Sequence, residues 1–318
     1  MGTGTGQRLV LALGGNAIAP GGTGGTAAEQ TANIARAMEP VADLIHGGHD
    51  VVLTHGNGPQ VGNLLIKNEM ARDVVPPMPL DWCVAQTQAT IGFTITTALE
   101  QALARRGVSR PVVTVISRVL VAADDPAWSA PSKPIGPYVA DEAEARRRSA
   151  DTGQTWAPAG RRGWRRLVPS PEPISSLDRA AVKLLLSGGA VVVANGGGGV
   201  PMIRDGGRLK GVEAVIDKDL AAVRLAADTR AGRLVILTDV AGVALRYGDA
   251  DEEWLGEISA AELRSLQSDG HFAAGSMGPK VEAALRFVEQ TGGTAVIGAL
   301  DDLRGAAEGG TGTRVVPG

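Results

Sequence analysis

Six lysines stand against 25 arginines in this chain, and three of the six lie in glycine- or proline-rich settings or between two aspartates. They are Lys133 in Pro131-Ser-Lys-Pro-Ile-Gly-Pro137, Lys218 between Asp217 and Asp219, and Lys280 closing Gly275-Ser-Met-Gly-Pro-Lys280. An ammonium is a compact point charge and a guanidinium a rigid planar fork, so lysines retained in an arginine-biased chain mark places where a fork does not fit. A phosphate oxygen packed against backbone is such a place. Three glycine turns offer that backbone: Gly14-Gly15-Asn16, Gly56-Asn57-Gly58, and Asn195 followed by Gly196, Gly197, Gly198 and Gly199. Without Cβ atoms their amides can close on an anion, and a helix N-terminus behind them adds a favourable dipole. The four consecutive glycines read as a close approach of backbone to ligand.

Other chemistries are poorly served. There is no Gly-x-x-x-x-Gly-Lys-Ser/Thr and no Gly-x-Gly-x-x-Gly, so neither a P-loop nor a dinucleotide fingerprint is present. His46 and His49 flank two glycines, which makes a turn rather than a metal pair, and His55 reads as a hydrogen-bonding residue at a strand end. Cys83 stands alone, which excludes a disulfide scaffold and a cysteine-ligated zinc. No nucleophile has an obvious base beside it. With 31 basic and 34 acidic residues the net charge is −3, so no basic field exists to hold nucleic acid or an anionic membrane. The longest apolar runs are about five residues, far below the ~20 that span a bilayer, and the N-terminus does not read as a signal peptide. A soluble cytoplasmic protein is the expectation.

The elements that must position these residues alternate. Residues 8–13 read as a strand, and residues 27–46 as a helix with Ile34, Met38, Val41 and Ile45 at spacings of three and four, ended by Gly47-Gly48. Residues 50–55 form a second strand, after which Pro59 suits a first helical position. The beat continues with helices over 84–105, 179–186, 218–227, 260–268 and 279–290, and strands over 112–116, 119–122, 190–194, 234–237 and 294–297. Strands separated by helices predict an α/β fold of three layers, helix on a mostly parallel open sheet on helix. Each glycine turn then leaves a strand C-terminus, where open sheets bind ligands. Residues 124–171 break the pattern. They hold many prolines, three of five tryptophans and only one short helical stretch, 141–150, and read as an irregular insertion forming a lid over the site.

Taken together these motifs resemble the carbamate kinases of the amino acid kinase family along the whole chain. The resemblance rests on Ala12-Leu-Gly-Gly-Asn-Ala17, His55-Gly-Asn-Gly-Pro-Gln-Val-Gly62, Pro79-Leu-Asp81 with Gln86-Thr-Gln88, Lys133-Pro-Ile-Gly-Pro137 and Gly163-Trp-Arg-Arg166 with Val168-Pro-Ser-Pro171. It continues through Gly196-Gly-Gly-Gly-Val-Pro201, Gly211-Val-Glu-Ala-Val-Ile-Asp-Lys-Asp-Leu220, Leu237-Thr-Asp-Val240 and Phe272-Ala-Ala-Gly-Ser-Met-Gly-Pro-Lys-Val-Glu-Ala283. Trp82-Cys83, Asn195 and the stretch 20–26 depart from the usual pattern.

The resemblance implies reversible phosphoryl transfer between ATP and carbamate, with Mg²⁺ carried mainly by the nucleotide phosphates, and a homodimer. Carbamate is already an anion and needs no general base. Lys218 and Lys280 would flank the transferred group, Asp219 would hold them, and Lys133 would reach in from the lid. Gly14, Gly15, Asn16, Gly56, Asn57, Gly58, Gly197 and Gly198 would surround carbamate or carbamoyl phosphate. Asp239, Val240, Tyr247, Met277, Gly278 and Pro279 would serve ATP or ADP. Residues 1–203, lid included, would form the carbamate lobe and 204–318 the nucleotide lobe. Another acylphosphate-forming kinase of the family should lack the Lys133 segment, and a non-catalytic sensor should have lost Lys218, Asp219 or Lys280.

Overall fold

The strand Arg8–Leu13 pairs in parallel with Asp50–His55 on one side and Arg233–Thr238 on the other, in a computed structural model that describes residues 6–15, 25–272 and 276–318. Its side chains alternate between two buried faces. Leu9, Leu11 and Leu13 meet helices Ala27–His46 and Leu80–Arg105, while Val10 and Ala12 meet Arg179–Ser187, Lys218–Thr229 and Met277–Thr291. A strand covered on both faces must be apolar at both parities, which is why these runs are continuous rather than alternating.

The sheet has eight strands, ordered Glu257–Ser259, Thr313–Val316, Thr294–Ala299, Arg233–Thr238, Arg8–Leu13, Asp50–His55, Val191–Val193 and Val112–Thr114. The first two run antiparallel to the rest. The expected three-layer α/β architecture is therefore present. The strands from residue 233 onward occupy one half of the sheet and those up to residue 193 the other, meeting between Arg8–Leu13 and Arg233–Thr238. Register brings the strand ends together: Leu13 lies opposite His55, Ala12 opposite Ile236, and Leu53 opposite Val193. All three glycine turns and Asp239 consequently leave the same edge of the sheet.

The strand 8–13 and the helices 27–46 and 260–268 begin and end where the sequence pattern places them. Local caps account for the two helices, since Thr26 and Ser259 each exchange capping-box hydrogen bonds with a glutamate three residues on, Glu29 and Glu262. Pro59 caps the helix Gln60–Ala71 rather than opening it. The helix expected from residue 84 starts a turn earlier, at Leu80, whose amide donates to Glu213 Oε1 at 2.6 Å.

The lid departs most from expectation. Instead of an irregular segment it contains a three-stranded antiparallel sheet, Lys133–Val139, Trp164–Val168 and Thr155–Pro158, beside the helix Glu142–Thr152. The prolines within this sheet, Pro134, Pro137 and Pro158, all fall on its two edge strands, where proline is tolerated, and the register shifts between Ile135 and Tyr138. Proline content concealed the strands without preventing them.

Candidate active site

Asp217 opens the helix Lys218–Thr229, its Oδ1 accepting the amides of Asp219 at 2.9 Å and Leu220 at 3.4 Å. That first turn aims Lys218 and Asp219 inward. Lys218 Nζ donates to Asp219 Oδ1 at 2.6 Å, and Lys280 Nζ, from the first turn of Met277–Thr291, donates to Oδ2 at 3.3 Å. The Asp219 side chain is 3% exposed and the lysines 17% and 18%. Burial alone would raise the Asp219 carboxyl, but the Lys218 and Lys280 ammoniums outweigh it and hold the group at about 2. Two positive groups against one carboxylate leave a surplus of charge, and two helix N-termini add their dipoles to it. An anion completes this arrangement.

The strand-end turns form the opposite wall. A Cβ on Gly14 would lie 2.9 Å from Leu237 O, so the neighbouring strand's backbone requires that glycine, and one on Gly56 would crowd Lys218 Cδ at 3.2 Å, so a side chain there would push on the lysine. Asn57 lines the cavity while its amide ties segments together, Nδ2 donating to Gly197 O at 3.2 Å and Oδ1 accepting Thr87 Oγ1 at 2.7 Å. His55 is fully buried beneath this turn. Burial first, and the nearby Lys218 charge as well, push its imidazole down to about 4 despite the hydrogen bond from Nδ1 to Gly56 O, so it is neutral at physiological pH and offers no cation.

The four-glycine segment has a different reason from the one expected. A side chain at Gly196 would collide with the His55 ring, at Gly197 with Asn57, at Gly198 with Ile216 and at Gly199 with Val119. Neighbouring side chains and backbone, more than a ligand, require these glycines, and only Gly197 reaches the cavity wall. Asn195, buried and left-handed at φ 52°, bonds to Ser117, Ser176, Thr54 and Ala221 behind them.

Two adjoining cavities result. The larger, about 580 Å³, is walled by Gly56, Asn57, Gly58, Lys133, Lys218 and Lys280 among others. The smaller, about 200 Å³, is walled by Gly14, Gly15, Lys218, Asp239 and Lys280. Gly15, Lys218 and Lys280 face both, so the lysines stand at the passage between two compartments. Pro279 lines the larger one; Gly198, Val240, Tyr247, Met277 and Gly278 line neither. Tyr247 is 65% exposed and packs edge-on against Trp254, with 6.1 Å between centroids. Asn16 falls outside the described residues.

Three lid residues on the larger wall escaped the sequence reading: Tyr138, Arg162 and Arg165. The guanidinium carbons of Arg162 and Arg165 lie 5.6 Å and 4.9 Å from the Tyr138 ring centre, and both donate to its Oη at 3.3 Å, Arg162 first in lowering the phenol's pKa. The signal was the arginine-rich run 161–166, of which Arg162 and Arg165 sit beside Tyr138 only once the lid has folded, while Arg166 turns to Glu213. Among the described residues no group of three or more His, Cys, Asp or Glu could hold a metal ion, and no helix is long and apolar enough to cross a membrane.

Two compartments suited to anions and joined by a pair of lysines are the equipment of an enzyme that passes a phosphoryl group from one bound molecule to another. Residues 7–299 match the model of the amino acid kinase family. The carbamate kinase of Thermococcus kodakarensis is 48% identical over 313 residues, 98% of this chain and 99% of that one. The carbamate kinase of Pyrococcus furiosus is 46% identical over 314 residues, 98% and 100% of the two chains. A structure of carbamate kinase from Giardia lamblia bound to AMP-PNP superposes with a TM-score of 0.93 at 38% identity, covering 99% of this chain and 100% of that one. The chain belongs to the amino acid kinase family. Within it, the near full-length similarity is to carbamate kinases.

Proposed function

We propose that the protein transfers a phosphoryl group reversibly between ATP and carbamate, making or consuming carbamoyl phosphate. The observation that carries this is the pair Lys218 and Lys280 on one buried carboxylate, facing both compartments. The acceptor occupies the larger cavity among Gly56, Asn57, Gly58 and Lys133, in the half built from residues 1–203. The nucleotide reaches the smaller one beside Asp239, in the half built from 204–318. Carbamate attacks as an anion, so no residue needs to take its proton, which suits a site whose one buried histidine is neutral. Lys218 and Lys280 neutralise charge spread over the transferring oxygens, and Asp219 keeps both from turning away.

A magnesium ion fits here as cargo of the nucleotide. The carboxylates of the larger cavity, Asp217 and Asp219, are both engaged by lysine ammoniums, so phosphate oxygens are the principal donors; Asp239, which accepts Thr238 Oγ1, lines the nucleotide side. When bound, it supplies positive charge to phosphate oxygens that the lysines do not reach. The protein works as a cytoplasmic homodimer. Trp82 and Phe93, each 62% exposed, stand 11 positions apart on Leu80–Arg105, almost the same helical angle, and give that helix an apolar outer stripe suited to a second copy.

Another acylphosphate-forming chemistry is less suited, because the Lys133 segment lies on the cavity wall. The test is ATP formation from carbamoyl phosphate and ADP, with acetyl phosphate as the control. Activity confined to carbamoyl phosphate and abolished by chelation is expected; turnover of acetyl phosphate alone, or full activity after exhaustive chelation, contradicts the reading.

A further inference from the structure

Asp217 spends its two carboxylate oxygens on two different segments. Oδ1 caps the helix Lys218–Thr229 through the amides of Asp219 and Leu220, and Oδ2 accepts Lys133 Nζ from the lid at 2.7 Å. The pair is 84 positions apart in sequence. It is also the last of three ties at alternate residues: Glu213 Oε2 takes Arg166 at 3.0 Å, Val215 N donates to Pro169 O at 3.0 Å, and Asp217 then takes Lys133. The connector 213–217 thus fastens the lid along its length and ends on the turn that carries Lys218 and Asp219.

We propose that Asp217 is a positioning residue, holding the Lys133 ammonium over the cavity before the acceptor arrives and setting it relative to the other two lysines. A free lysine must give up several rotamers to meet a small anion, whereas a tethered one has already lost them. An ammonium carries three N–H donors, so Lys133 can keep Asp217 and still donate to an acceptor oxygen. A salt bridge of this exposure, 36% for Lys133 and 16% for Asp217, is labile enough to let the lid tip open. The proposal rests on the reading that Lys133 serves the acceptor.

Asparagine and serine are both good helix caps, so Asp217→Asn and Asp217→Ser remove the charge while sparing the helix. For Lys133→Ala we expect a loss of about 10²-fold in kcat/KM for carbamoyl phosphate. For Asp217→Asn the expectation is a loss of about 10-fold with ADP affinity within about threefold of wild type, and the double variant should be no worse than Lys133→Ala alone, since two residues acting through one contact do not add. Hydrogen exchange of the unliganded protein should accelerate over 133–139 in both Asp217 variants and stay unchanged over 218–229. Additive losses in the double variant, Asp217→Asn activity at or above wild type, or unaltered exchange of 133–139 each overturn the proposal. Should the protein turn over no carbamoyl phosphate, the functional reading fails, and the exchange experiment still decides whether Asp217 holds the lid.

Discussion

Two ammonium–carboxylate groups face the same cavity and differ chiefly in depth. At the sheet edge, Lys218 and Lys280 share Asp219, whose side chain is 3% exposed; at the lid, Lys133 meets Asp217 with 36% of its own side chain in solvent. Removing one partner of a buried group strands a charge that water cannot reach, while an exposed pair is exchanged with little cost. The same chemistry therefore fixes geometry in one place and permits movement in the other. A site that must both hold a transferring phosphoryl group and admit its acceptor has use for each.

The largest effect should come from breaking the deep group at its centre. Asp219→Asn leaves two ammoniums facing each other, and kcat/KM should fall by about 10³-fold or more, together with on the order of 3 kcal/mol of stability; denaturant unfolding beside steady-state kinetics measures both. A variant within tenfold of wild type in rate would show that Asp219 does not organise the lysines. Next in size, Lys218→Arg and Lys280→Arg should each cost about 10²–10³ in turnover, nearly as much as alanine, because a planar fork does not take a compact ammonium's place on the buried Asp219 that both share. Arginine variants with most of the wild-type rate would mean that charge alone suffices.

Acid should separate the regions further. Asp219 is held at about 2 against an ordinary 3.8. A depressed carboxyl contributes stability that is complete above its unfolded value and is lost as pH falls through its folded one, so the window lies between about pH 4 and pH 2. Across it, wild type should lose on the order of 2 kcal/mol that Asp219→Asn does not, read as the difference between their urea unfolding curves. Parallel curves would argue against the buried pairing. Smallest of all, Tyr138→Phe should change kcat/KM by less than about tenfold, since Arg162 and Arg165 keep their cationic contact with the ring and lose only its hydroxyl; a larger loss would place the phenol itself against substrate.

How far the sequence discloses all this follows the range of the interactions involved. Residues 27–46 and 260–268 are readable to the residue because their capping boxes are local. Leu80 is not, because its amide is satisfied by Glu213, 133 positions away. The lid strands escape because proline argues against strands in general, and only pairing reveals that these are edges. Among site residues, the lysines stand out through their scarcity, and Asp219 through its neighbour Lys218. Gly198 misleads, since a glycine demanded by Ile216 behind it looks the same in sequence as one demanded by a ligand in front. Asp217 and the Arg162, Arg165 and Tyr138 cluster are defined by partners that only the folded lid supplies.

The division of labour between the two regions is tested most directly by calorimetric ADP binding to Lys133→Ala and Lys280→Ala, each paired with its kcat/KM for carbamoyl phosphate. The account predicts that Lys133→Ala loses catalytic efficiency yet binds ADP within a few-fold of wild type, whereas Lys280→Ala, facing both compartments, loses both. Equal loss of ADP binding in the two variants would contradict it and assign Lys133 to the nucleotide.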